Sequence, residues 1–353
     1  MSEQKRRLKV IQAGTTHEHA SGKFYALELL PETYELLGYV DDLEIMDTPR
    51  RYDFLPVGVY ETGKRFTMEE ALACPDLDVA VIEVPNLELV KVGMRFAEKG
   101  VPMHLDKPAG ENVEDYEALL DVCRKKNLPL QMGYMYRGNP ALRFVREMIR
   151  EKVVGEIFDA SLDMNHGCGN EFYHKYIASF KGGIMFNLGC HLIDFVFSAM
   201  GEPEKITPFA SSVPGHPRGT GDNMLAVLEY PNAFVKITVC SGDSGRTEHR
   251  RWIFAGTNGY IHVSPPERYD GEPVVVELSL KQDSKLIPRG KHLFRFPPQK
   301  DRYAPMLQEF AQIVRGEKKN PYTYEHDLSV HKATLAASGL IPWKKTGFAP
   351  KSK

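Results

Sequence analysis

The sequence predicts an α/β chain of two domains: an N-terminal doubly wound parallel sheet, then an α+β domain built on a large, mostly antiparallel open sheet. Three observations carry this. In the first third, short apolar runs alternate with segments of helical periodicity, the pattern of strands joined by right-handed crossover helices. Beyond residue 201, strand-like runs face each other in pairs across short turns, the pattern of hairpins. A length of 353 residues also exceeds what one core usually spans. The boundary is placed at 135, giving domains 1–135 and 136–353.

The elements follow in order. Residues 8–13 form an apolar run stopped by Gly14, and 20–30 carry apolar residues at helical spacing. Residues 34–40 are a second run, ending in Asp41-Asp42. A short helix at 68–72 precedes 78–84 (DVAVIEV), which is apolar almost throughout, as in a strand covered on both faces. An amphipathic helix at 87–99 closes at Gly100, and strand 101–105, helix 113–126 and strand 129–132 complete the repeat. Helix 140–152 and strand 155–165 open the second domain, and an apolar helix at 190–200 follows Gly182-Gly183. Hairpins are expected from 224–230 with 234–240 and from 251–255 with 260–263, then a strand at 273–280 and closing helices at 304–315 and 324–338.

Composition narrows the function. The net charge is −2, which leaves no basic field to hold nucleic acid. The lysines Lys344, Lys345, Lys351 and Lys353 read as a solvated end. No run approaches the ~18 apolar residues of a membrane span, and the N-terminal stretch lacks the apolar core of a signal peptide. Cys74, Cys123, Cys168, Cys190 and Cys240 are scattered without a Cys-x-x-Cys pair, as in a reducing compartment. A cytoplasmic protein is expected.

A dinucleotide fingerprint needs glycines between the first strand and helix, so that the backbone approaches a pyrophosphate at the helix N-terminus. Here that stretch is Gly14-Thr15-Thr16-His17-Glu18-His19, with only the first glycine in place. Its threonines and histidines can donate to phosphate oxygens; alternatively Thr15 or Thr16 caps the helix and the histidines are solvated. Asp41 ends the second strand roughly 20 residues further on, where an acid accepts from a ribose 2′-hydroxyl and disfavours a 2′-phosphate. His17 and His19, and the group His166, Glu171 and His174, fall short of the ligand sets of established metal patterns, and no metal is expected.

Ligands of open α/β sheets bind beyond the carboxyl ends of the strands. Those ends carry Pro85-Asn86, Asp106-Lys107-Pro108 and the stretch Gly133 to Arg137. Lys107, held by the following proline, can reach a substrate hydroxyl; an isolated loop lysine is the alternative. In the segment 182–194, Asn187 and His191 are spaced to share a helix face, and Asp194 is spaced to orient the His191 ring.

Taken together, these motifs resemble the Gfo/Idh/MocA oxidoreductases over nearly the whole chain. The matching stretches are Val84-Pro85-Asn86, Asp106-Lys107-Pro108, Tyr134 to Pro140, Gly182 to Asp194 and Gly256 to Gly259. The resemblance implies an N-terminal Rossmann domain that binds NAD, with NADP the lesser alternative. Gly14, Thr15, Thr16, His17, Asp41, Pro85, Asn86, Asp106 and Lys107 would then line the cofactor. It implies hydride transfer from a ring hydroxyl of a sugar, glycoside or polyol. Lys107 would hydrogen-bond that hydroxyl and His191 would act as general acid/base, while Asn187, Tyr173, His174 and Arg137 bind substrate. It further implies a homodimer or homotetramer paired through the open sheet. The sequence departs from the family in its missing glycines, in Asp106 for the usual glutamate and in Asn187 for the usual aspartate. Two other readings stand beside this one: bond cleavage through transient oxidation with recycled NAD, and an inactive ligand sensor of the same fold.

Overall fold

The structure is a computed structural model that describes residues 5–41, 58–61, 63–167, 171–216, 219–268 and 270–350. Asp42, Cys168, Lys351 and Lys353 lie outside them, as does the side chain of Glu171. The chain divides into two compact units.

The first unit is a six-stranded parallel sheet with helices between its strands. It runs β1 (Leu8–Ala13), α1 (Ala20–Glu28), β2 (Tyr34–Val40), β3 (Lys64–Phe66), α2 (Met68–Ala73), β4 (Val79–Ile82), α3 (Leu89–Lys99), β5 (Met103–Leu105), α4 (Val113–Lys126) and β6 (Leu130–Met132). The strand order is β3-β2-β1-β4-β5-β6 and every pairing is parallel. All four residues of β4 are buried because helices cover both faces, which is why its sequence shows no alternation. Local chemistry fixes the helix ends. Thr67 and Glu70 form a capping box on α2, the Asn112 side chain accepts from the Asp115 amide to start α4, and Gly100 ends α3 in the left-handed region.

The second unit contains α5 (Pro140–Arg150), β7 (Ile157–Asn165), α6 (Glu171–Ala178), a π turn (Met185–Gly189), α7 (Cys190–Met200), β8 (Lys205–Ser211), β9 (Asn223–Tyr230), β10 (Ala233–Cys240), β11 (Trp252–Gly256), β12 (Gly259–Val263), β13 (Val274–Leu280) and β14 (Gly290–Phe296). The last helices are α8 (Ala304–Val314) and α9 (Tyr324–Ala337). The eight strands form one sheet in the order β14-β13-β12-β11-β7-β10-β9-β8, antiparallel except where β7 and β10 run parallel. Both expected hairpins, β9–β10 and β11–β12, are present. Inward residues alternate with outward ones along β10 and β13, so one face is packed. On that face Phe195 of α7 lies 4.8 Å from the Trp252 ring.

The sequence assigns all of 136–353 to the second domain. In the structure, residues 301–324 return to the first unit and only 136–300 with 325–353 form the second. The return is held by hydrogen bonds that a linear pattern does not contain. The Tyr34 hydroxyl donates to the Leu307 carbonyl at 2.6 Å, and Asn320 Nδ2 to the Leu130 carbonyl at 2.9 Å.

Candidate active site

Candidate side chains gather in two places, one in each unit. In the first unit they stand at the carboxyl ends of β1, β4 and β5, beside the point where the strand order reverses. Gly14 follows β1 with φ 105°, and a Cβ there would lie 2.5 Å from the Glu83 carbonyl, so only glycine fits. Thr15, Thr16, His17 and Glu18 are buried in the turn that follows. The N-cap of α1 is His19, which makes no side-chain cap, so neither threonine caps the helix.

The two histidines of this turn converge on one carboxylate. His17 Nδ1 lies 2.8 Å and His19 Nδ1 2.9 Å from the same oxygen, Asp106 Oδ2. Lys23, fully buried on α1, reaches Glu83 Oε1 at 2.6 Å and Asp106 Oδ1 at 3.1 Å. Gly133 makes room for this pairing, since a Cβ there would stand 2.5 Å from Asp106 Oδ1. The Tyr303 ring covers the group, 5.6 Å from Lys23 Nζ and 5.6 Å from the His19 ring.

Burial and neighbouring charge set the ionisation here. Burial lowers the His19 imidazole to about 3, against the pull of Asp106. Burial, then the charge of Asp106, pushes the Glu83 carboxyl well above its usual range, and Lys23 only partly offsets this. Burial would raise Asp106 as well, but the charge of Lys23, then of His17 and His19, holds it well below the usual carboxylate range. The two carboxyls are thus driven apart.

Lys107 ends this arrangement. It is fully buried, its amide donates to Asp106 Oδ1 at 2.8 Å, and its carbonyl accepts from Asn86 Nδ2 at 2.6 Å. The Lys107-Pro108 peptide is cis. Asn86, Asp106 and Lys107 therefore meet as the sequence expects, with Pro85 opening the turn that carries Asn86. Asp41 lies buried just past the end of β2. Lys23, Glu83 and Tyr303 are absent from the sequence-derived set. The first two had a signal: each is a charge inside a segment otherwise patterned for burial.

In the second unit, Asn187 and His191 are both buried, one in the π turn and one in the first turn of α7. Asn187 Nδ2 donates to the Tyr176 hydroxyl at 3.3 Å, and the His191 ring lies 5.4 Å from that of Tyr136. Tyr173 stacks on His166 at 5.2 Å, and His174 lies 3.9 Å from His216, whose Nδ1 is 2.5 Å from Asp222 Oδ2.

Asp194 and Arg137 meet in a buried ion-pair group of the second unit. Asp194 pairs with Arg137 at 2.6 Å and with His326 Nε2 at 3.0 Å. Arg137, expected to meet substrate, is buried between Asp194 and Asp327, the latter at 2.5 Å. A guanidinium taken out of water needs carboxylates around it, and Asp194 and Asp327 supply them. Burial would raise Asp194, but the Arg137 charge and bonds from His326 and Arg137 bring it to about 2. Asp327, raised by burial, is the other end of the same group.

A sheet of this order with candidates at its switch point, joined to a unit on an eight-stranded sheet, defines a two-unit α/β protein of the Rossmann type. Residues 142–262 match the family model described as the GFO/IDH/MocA C-terminal domain. The D-xylose 1-dehydrogenase (NADP(+)) 2 of Haloferax volcanii is 23% identical over 265 residues, covering 74% of this chain and 77% of that protein. The scyllo-inositol 2-dehydrogenase (NAD(+)) of Bacillus subtilis is 24% identical, covering 74% of each. Among solved structures, an oxidoreductase from Agrobacterium radiobacter in complex with NAD+, L-tartaric acid and magnesium superposes with a TM-score of 0.77 at 17% identity, covering 95% of this chain and 96% of that one. Residues 142–262 thus carry the C-terminal domain described for the GFO/IDH/MocA family, and the chain is similar over most of its length to dehydrogenases of sugars and polyols. Among the described residues, no helix is long and apolar enough to cross a membrane.

Proposed function

We propose that this chain oxidises a ring hydroxyl of a sugar, glycoside or polyol with a nicotinamide dinucleotide, NAD in preference to NADP. The observation that carries the reading is the anchoring of Lys107: its backbone is tied on one side to Asp106 and on the other to Asn86, at the carboxyl end of β5. The relatives named above, dehydrogenases of a pentose and of an inositol, support the substrate class.

The residues suit a dinucleotide. Gly14 gives the backbone the close approach that such a turn requires, and it lies at the switch point where these ligands bind. Asp41 would accept from the adenosine ribose, with the turn of Thr15 and Thr16 beside the phosphates and Pro85, Asn86 and Lys107 nearer the reacting end. When bound, the nicotinamide supplies the hydride acceptor. Lys107 hydrogen-bonds the substrate hydroxyl and favours its ionisation. His191 takes up the proton. Asn187, tied to Tyr176, binds a substrate hydroxyl without charge, and Tyr173 and His174 contribute to the same recognition. Arg137 orders the unit through its ion pairs.

The test is dinucleotide release from freshly purified, gently denatured protein, followed by turnover of candidate polyols in wild type and Lys107→Ala. NAD release or saturable NAD binding, NADH formation with substrate and loss of turnover in the variant are expected. Failure of both dinucleotides to bind refutes the proposal, as does wild-type turnover in Lys107→Ala. Sugar release without net NADH would replace net oxidation by bond cleavage with a recycled cofactor. Assembly into a homodimer or homotetramer is part of the same reading. It is supported by Phe209, Phe234 and Leu293, which stand exposed on strands of the large sheet.

A further inference from the structure

The geometry points to a divalent transition-metal site in the first unit, built by His17, His19, Asp106 and Glu83 and separate from the hydride chemistry. His17, His19 and Asp106 each offer a ligand atom, and these atoms all lie within 4.8 Å of one another. Both Nδ1 atoms converge on one carboxylate oxygen, Asp106 Oδ2, at 2.8 and 2.9 Å. The fourth atom is Glu83 Oε2: fully buried, without a hydrogen-bond partner and 3.7 Å from His17 Nδ1. Its carboxyl neighbours that of Asp106, and a cation held beside the two would favour the ionised form of both.

The contacts of His17 reinforce this. Its Nδ1 accepts the His19 amide at 3.2 Å. The same nitrogen lies 2.8 Å from Asp106 Oδ2, so an ion bound there would replace the proton that joins the two. Two imidazoles with two carboxylates are a donor set for Zn²⁺, Mn²⁺, Co²⁺ or Fe²⁺. Four donors at roughly 2.0–2.2 Å from a tetrahedral ion stand about 3.3–3.6 Å apart, so the 2.8 and 2.9 Å contacts would open and the 3.7 Å contact would close slightly on binding.

Lys23 completes the design from outside the ligand set. It binds Glu83 Oε1 and Asp106 Oδ1, the two oxygens that do not face the histidines, and so orients the other two. His17 and His19 belong to the β1–α1 turn, Glu83 follows β4 and Asp106 follows β5. A bound ion ties that turn to the two strand ends, supplying order where the fingerprint glycines are missing.

The experiment uses the full-length chain, stripped with EDTA and titrated with Co²⁺, read by visible d–d absorption and by thermal unfolding. One equivalent of Co²⁺ with d–d bands is expected, displaced by Zn²⁺, with a rise in Tm that EDTA reverses. Glu83→Gln, which keeps the shape, should weaken Co²⁺ binding at least tenfold with unchanged far-UV circular dichroism. His17→Gln/His19→Gln should abolish the bands, and His174→Gln in the other unit should retain them. Absence of d–d bands at saturating Co²⁺ overturns the assignment, as does binding that survives Glu83→Gln undiminished. None of these readouts needs a dinucleotide or turnover, so the outcome is independent of the proposed oxidation.

Discussion

Replacing Arg137 by methionine keeps an unbranched, flexible stem and removes the guanidinium with its charge, leaving Asp194 and Asp327 buried without the cation between them. In the wild type Asp194 falls from 3.8 to about 2. That difference corresponds to roughly 2 kcal/mol of folding stability. Because this folded-state pKa is depressed, the contribution is present above the unfolded value of 3.8 and is lost as the pH falls through about 2. Asp327 is raised and acts in the opposite sense, binding a proton more readily folded than unfolded. Without the guanidinium, burial governs both groups and moves both upward.

Breaking a buried pair by removing one partner costs about 3–5 kcal/mol, and Arg137→Met should lose that much at pH 7. The deficit should shrink at pH 4, where both carboxyls in the variant take up protons and the wild type has given up little. Urea unfolding followed by tryptophan fluorescence measures this in the right place, because both tryptophans, Trp252 and Trp343, lie in the second unit. A loss below ~1 kcal/mol, or one equal at pH 7 and pH 4, would refute the reasoning.

Three further outcomes are expected. Gly14→Ala forces a Cβ against the Glu83 carbonyl at positive φ; backbone strain alone costs about 1–3 kcal/mol, and thermal unfolding should show it together with weakened dinucleotide binding. Asp41→Ser removes the carboxylate that repels a 2′-phosphate, and the NADP-to-NAD affinity ratio from fluorescence titration should rise by roughly tenfold, about 1.4 kcal/mol; an unchanged ratio places the ribose elsewhere. His191→Asn should lower kcat by on the order of 10²–10⁴ and remove one titration from the pH–rate profile. A profile identical to wild type would assign the base to another residue.

Much of the fold was legible because local pattern carried it. The unbroken apolar run of β4 reads as a strand covered on both faces, and that is how it lies. The paired runs around Pro231-Asn232 and Gly256 to Gly259 read as hairpins, and their registers close as such. The edge strand β14 escaped notice. Its residues are half-buried or exposed and mix lysine, histidine and arginine with aromatics, so no apolar run marks it. Of the site, the strand-end residues Asn86, Asp106 and Lys107 were readable, because a parallel sheet gathers its carboxyl ends on one edge.

Spacing alone determined which segments become strands and helices, and which chemistry-bearing residues stand at strand ends, since both follow from a period of 2 or 3.6 residues and from turn positions. Tertiary structure decided which charges meet. Arg137 finds Asp194 and Asp327 at 57 and 190 positions along the chain, and Lys23 finds Glu83 at 60. His17 and His19 both meet Asp106. A buried charge must be matched by whatever partner the fold carries to it, and that cost of desolvation is paid across the whole unit, where no local period records it.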